Sequence, residues 1–256
     1  MISDDEVKSL FKNTWRNHGK HYDYRKPHNA QFFRGIDSLT WKNQHPDGCK
    51  RHLWVFEEFN IVPKYCFNCY KVLIEPRTVM ELFKLMMVIE KMELPNDNTR
   101  KCTVENREGV SGIYKGLIYC QSLDEGKEVL EITRQMVAEE ISNDIPVSLK
   151  RGCSEYAASY PEYAQTGQDT GAMEYEDEWQ KHEDRADKEW IVINTQPPAS
   201  PVYEPQTYTP RDALVMFTWL KYAATIGDDS YLKICWRLQP FHNVNRRSPF
   251  RPAGND

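Results

Sequence analysis

Six stretches decide the fold: CYKVLIE (residues 69–75), TVMELFKLMMVIE (78–90), KCTVEN (101–106), IYKGLIYC (113–120), SLDEGKEVLEITRQMV (122–137) and IPVSLK (145–150). The first, third, fourth and sixth are short and rich in β-branched and aromatic residues, which is strand composition. The second and fifth place Val79, Leu82, Phe83, Met86 and Ile89, and then Val129, Ile132, Met136 and Val137, at helical spacing. Each helix opens on a capping-box pattern, Thr78 with Glu81 and Ser122 with Glu125. The order is β-α-β-β-α-β, the ferredoxin-like arrangement of an α+β protein. In that arrangement the sheet order is 4-1-3-2, neighbours are antiparallel, and the fourth strand lies at an edge. Pro146 suits an edge, because proline gives no N–H to a central ladder.

Outward from this core (64–155), residues 1–63 form an N-terminal segment expected to pack on it. Ser3 caps a helix bearing Val7, Leu10, Phe11 and Trp15 that stops at Gly19. Residues 21–48 read as loop, and 53–62 fit either a strand or a short helix. Residues 156–256 form a C-terminal segment. It holds an acidic helix over 173–190, a proline-rich arm over 195–210, a helix capped by Thr209 with Pro210 at its first position and ending at Gly227, a short helix over 231–238, and a basic tail. The aromatic residues of both flanks favour wrapping over independent folding.

The 256 residues suit one large domain with embellishments, and 40% apolar residues supply a sizeable core. A net charge of −5 argues against a general nucleic-acid or anionic-membrane binder. The N-terminus has no basic and apolar leader, and no apolar run is long enough to span a bilayer, so a cytoplasmic location is expected. In a reducing compartment, seven cysteines are read as thiols with metal or redox chemistry.

The expected topology gathers those thiols. Cys66 and Cys69 stand at the start of the first strand, Cys102 at the start of the second, Cys120 at the end of the third and Cys153 just past the fourth. Cys-x-x-Cys lets two thiolates reach one tetrahedral metal. Cys66, Cys69, Cys120 and Cys153 are therefore the expected ligands of zinc or an iron–sulfur cluster, with Cys102 as substitute. Arg100, Lys101, Lys150 and Arg151 at the same edge are candidates to balance a thiolate cluster or to contact an anion or nucleic acid. His45, Cys49 and His52 have metal-ligand types in H-x3-C-x2-H spacing, but the turn His45-Pro46-Asp47-Gly48 with solvated side chains is the better reading.

Two further functions compete. Lys115-Gly116-Leu117-Ile118-Tyr119 resembles the RNP1 pattern of the RNA-recognition domain in its lysine, its glycine and Tyr119, with Leu117 and Ile118 where an aromatic and a small residue are expected. Cys69-Tyr70-Lys71-Val72 is an equally partial RNP2. The resemblance covers two short strands. It implies a module binding RNA through its open sheet face, with Tyr70, Tyr114 and Tyr119 as stacking surfaces. A protein partner on the same face is the related reading. The other competitor is a cysteine-dependent enzyme using Cys66 or Cys69. No nucleotide-binding loop is present.

Overall fold

The computed structural model describes residues 1–17, 38–41, 48–106, 110–165, 172–193 and 208–235. Five strands form one sheet: β1 (Ser38–Trp41), β2 (Tyr70–Ile74), β3 (Arg100–Val104), β4 (Tyr114–Cys120) and β5 (Val147–Arg151). The helices are α1 (Asp4–Asn17), α2 (Gly48–Phe59), α3 (Val79–Lys91), α4 (Leu123–Glu140), α5 (Ser154–Ser159), α6 (Gln180–Ile193) and α7 (Pro210–Ile226). The chain is thus α+β. Sheet order is β1-β3-β4-β2-β5, and every neighbouring pair is antiparallel.

The expected four strands lie in the order 4-1-3-2, with β5 at an edge. The fifth corrects the reading of 21–48 as loop alone: Ser38–Trp41 pairs with β3, so the strand carrying Cys102 is internal. Its four residues are too few to show a period. The ambiguous segment is helical from 53 to 59, as part of α2, and residues 60–62 are neither helix nor strand. Residues 18–37 and 42–47, the proline-rich arm over 194–207 and the basic tail lie outside the described residues, as do 236–238 of the short helix. Of that helix, a 3-10 turn over Asp229–Lys233 is seen.

Alternation along the strands divides the sheet into two faces. Val72, Ile74, Ile118, Cys102 and Val104 are buried in one cluster with Leu82, Leu85, Met86 and Ile89 of α3 and Val129 and Val137 of α4. Val7 and Phe11 of α1 and Val215, Met216 and Trp219 of α7 belong to the same cluster. The opposite face carries Lys71, Lys115 and Tyr119. A second, aromatic cluster joins Val55 of α2, Cys66, Phe67, Tyr156, Tyr163, Trp179 and Ala186 of α6. It sits at the end where β2 begins and β5 ends, since Gly152 N donates to Cys69 O at 2.8 Å.

The caps differ in one half from their sequence pattern. Thr78 and Ser122 each accept from the third helical amide, that of Glu81 and of Glu125. Both glutamates, however, reach one residue further back, to Arg77 N (2.7 Å) and Gln121 N (2.5 Å). Reciprocal boxes do form at Thr209 with Asp212 and at Ser3 with Glu6. Among the described residues no helix is long and apolar enough to cross a membrane.

Candidate thiol site

β2 delivers the site. Cys69 precedes its first residue, and two residues on, Lys71 lies on the face away from α3 and α4. Register sets Lys71 between Tyr119 of β4 and Lys150 of β5. Cys153 follows β5 and stands at the residue before α5, with no side-chain capping bond. Lys71 is 7% exposed. It donates to Cys153 Sγ at 3.2 Å and lies 5.1 Å from the centre of the Tyr119 ring. Burial opposes its charge, but Cys153, Tyr119 and Cys69 around it favour the charge, and the net shift is upward. Lys71 therefore stays an ammonium in contact with sulfur. Lys150, whose Nζ donates to Ser154 Oγ at 3.0 Å, is pushed down by burial and by Lys71. The surroundings of Cys153 are electropositive.

Burial raises the thiols of Cys49, Cys66, Cys69 and Cys120. Burial pushes Cys69 up to about 11, with Lys71 opposing and Cys153 and Cys49 reinforcing. Cys66 is pushed up more strongly, chiefly by burial; its thiol donates to Tyr156 Oη at 3.6 Å. Cys49, on α2, is raised by burial and by the neighbouring Cys153. Cys120, beside Asn98, goes up to about 12, again through burial, then Glu125.

Cys66, Cys69 and Cys153 thus share one end of the sheet with Cys49, which the sequence reading had given to a turn. Cys120 is at the same end but packs in the helix-facing cluster, opposite Tyr70. Cys102 is not there. It pairs with Gly116, four residues along β4 from Cys120 and level with Ile74, and is fully buried. Asn98 occupies the level of Cys120 instead, because pairing runs back through Thr99 O, which accepts from Tyr119 N. Among the described residues, no group of three or more His, Cys, Asp or Glu is arranged to hold a metal ion.

The basic candidates separate in the same way. Arg100 is 1% exposed, and its guanidinium donates to the carbonyls of Asn98, Ile89 and Met92, tying the end of α3 to β3. Arg151 donates to Phe67 O and Met173 O, and its guanidinium lies over the Phe67 and Tyr163 rings. Both are structural cations. Lys101 pairs with Leu117 across the ladder. Lys150 alone of the four adjoins the thiols. Of the proposed stacking residues, Tyr70 and Tyr114 belong to the helix-facing cluster and are buried, so neither presents a ring to a base. Tyr119 is on the other face, under the Lys71 ammonium.

Sequence reasoning missed Lys71. The signal was available: strand alternation sets it on the same side as Cys69, next to a Cys-x-x-Cys. Compared with known proteins, the chain matches no family model, no curated protein and no solved structure.

Proposed function

We propose that the chain is a thiol-dependent protein whose working nucleophile is Cys153, with Lys71 as its buried counter-ion, on a sheet unit of ferredoxin-like arrangement. The carrying observation is the 3.2 Å contact between the Lys71 ammonium and Cys153 Sγ. A thiolate is the nucleophilic form of cysteine, and an adjacent cation favours it. Cys153 is half-buried, whereas Cys66, Cys102 and Cys120 are buried. Cys69 is adjacent, its carbonyl bonded to the residue before Cys153, and is the natural second thiol.

The test is pulsed alkylation with iodoacetamide at neutral pH, read peptide by peptide by mass spectrometry. Cys153 labels first, and Lys71→Met slows it about tenfold, the equivalent of one charge contact. Labelling of Cys153 no faster than that of Cys235, or indifference to Lys71→Met, would refute the assignment.

A second reading, a thiolate site for zinc or an iron–sulfur cluster, has behind it only that Cys49, Cys66, Cys69 and Cys153 are near enough to influence one another's ionisation; among the described residues they are not arranged to hold an ion. Cys66, Cys69 and Cys153 remain ligands, and Cys49 replaces Cys120, since it neighbours Cys153. Metal analysis of protein purified without oxygen separates the two readings. On this reading metal is lost in Cys49→Ser and Cys153→Ser and kept in Cys120→Ser. RNA binding keeps Tyr119, Lys101 and Lys150 of its proposed contacts and is the weaker alternative.

A further inference from the structure

Gly152 decides where the sulfur of Cys153 goes. Its N donates to Cys69 O at 2.8 Å, which continues the β2–β5 ladder one step past the Tyr70–Arg151 pair. Cys69 is extended (φ −85°, ψ 116°), so its side chain shares a face with Lys71, two residues on. In an unbroken β5, Cys153 would point to the opposite, helix-facing side. Gly152 has φ +52°, in the left-handed region, and a Cβ there would stand 1.9 Å from Tyr163 Oη. The turn it makes brings Cys153 Sγ back to within 3.2 Å of Lys71 Nζ, on the face that carries Cys69.

The two thiols are thereby neighbours across one ladder. A hydrogen-bonded antiparallel pair sets its Cα atoms about 5.5 Å apart. A disulfide spans Cα separations of about 4.4–6.8 Å. Cys69 with Gly152 continues the ladder as such a pair, and Cys153 turns back over it. Cys153 is also the thiol that acts most on the ionisation of Cys69. Of the other thiols, Cys66 is buried and committed to Tyr156 Oη at 3.6 Å, and Cys49 comes from α2, outside the sheet. Tyr163 Oη donates to Cys66 O at 2.5 Å while closing over Gly152. One phenol therefore holds the chain before β2 against the chain after β5.

Resting on the reading of Cys153 as the nucleophile, we infer that Cys153 and Cys69 are the attacking and resolving thiols of a redox pair whose substrate is a hydroperoxide. The Cys153 thiolate attacks one peroxide oxygen. An S–O bond forms, the O–O bond breaks, and the departing oxyanion takes a proton from solvent. The Lys71 ammonium, already on the sulfur, is placed to stabilise that oxyanion. The Cys69 thiol then attacks the sulfenic sulfur. An S–S bond forms, the S–O bond breaks, and the Cys69 proton leaves with the hydroxide as water. The two sulfurs supply the two electrons that reduce the peroxide. Of electrophiles, a hydroperoxide also asks least room of a half-buried sulfur, because its reacting part is two atoms.

The probe is hydrogen peroxide, in equimolar amount, on the reduced full chain at neutral pH. Remaining thiols are blocked with N-ethylmaleimide, and the peptides are read by mass spectrometry. The expected product joins Cys69 to Cys153, with fragment ions separating Cys69 from Cys66, and dithiothreitol reverses it. Cys69→Ser should lose that link and leave Cys153 as a sulfenic acid that dimedone traps. Trapping of Cys153 in the unsubstituted protein with no link to Cys69 overturns the pair and leaves the nucleophile standing. A link from Cys153 to Cys49 or Cys66 does the same. No oxidation at Cys153, in protein whose Cys153 still takes iodoacetamide first, overturns the inference and keeps the reading beneath it. Labelling of Cys153 by iodoacetamide no faster than Cys235 removes both. Where Cys69→Ser does not fold, the linked peptide from the unsubstituted protein decides.

Discussion

Lys71 and Cys69 show how burial assigns charge at one end of the sheet. A lysine buried to 7% exposure is shifted up by the thiols and the phenol around it and keeps its proton, and Cys69, two residues earlier, is also shifted up, by burial, which keeps its thiol protonated. The same numbers set an alkaline limit. The folded Cys69 thiol ionises near 11, against an ordinary value of 9.0. A raised folded-state pKa means that its stabilising contribution is complete below about pH 9 and is lost as pH climbs through 11. Urea midpoints measured from pH 8 to 11 should therefore fall above pH 9, with a share on the order of 2 kcal/mol from this thiol. Cys69→Ala should remove that share of the slope. A slope unchanged by the substitution would mean that the thiol is solvated in the folded protein. The Cys-x-x-Cys spacing marked this end in the sequence, but the roles within it were hidden. Arg100 looked like an anion contact only because nothing in its neighbours shows that three carbonyls converge on it.

At the level of elements, periodicity and caps were enough to locate β2, α3, β3, β4, α4 and β5, and Thr209, Pro210 and Gly227 bounded α7. Register was another matter. Whether Cys102 or Asn98 stands opposite the end of β4 depends on how far pairing continues past the 94–98 turn, and no side-chain pattern records that. The RNP1-like glycine shows the same limit. Gly116 faces α3, and a Cβ there would stand 2.6 Å from Leu85 Cδ2, 3.1 Å from Ile74 Cδ1 and 3.3 Å from Ile89 Cδ1. All three neighbours are fully buried, so none moves without disturbing the core. Gly116→Ala should cost about 1–3 kcal/mol of unfolding free energy by overpacking. A neutral or stabilising substitution, as expected of a strand glycine exposed to solvent or RNA, would contradict this placement.

The whole molecule rests on two clusters, and the thiols lie where the second meets the sheet. The aromatic cluster draws on segments far apart in sequence, which no local pattern could join: Val55 of α2, Phe67 before β2, Tyr156 and Tyr163 after β5, and Trp179 ahead of α6. Its polar tie is Glu183. That carboxylate accepts from Arg51 Nη1 at 2.7 Å and from Lys64 N at 2.8 Å, with the side chains of Arg51 and Glu183 only 14% and 8% exposed. Asp187 adds a second contact to Arg51 at 2.7 Å. Removing the Glu183 side chain leaves Arg51 with Asp187 and the Glu183 carbonyl but takes the acceptor from the Lys64 amide and from one side of a largely buried guanidinium, at a cost of about 1–3 kcal/mol. The main core, from α1 through α3, α4 and α7, contains none of these groups. Glu183→Ala should therefore open one part of the molecule and spare the other. In hydrogen exchange, amides of α2, α5 and α6 should lose protection while those of α3 and β4 keep theirs. Cys66, buried against Tyr156 in the intact protein, should become open to alkylation while Cys102 stays closed. Equal loss across both clusters would instead make them a single cooperative unit, and the thiol site would then be as rigid as the sheet that carries it.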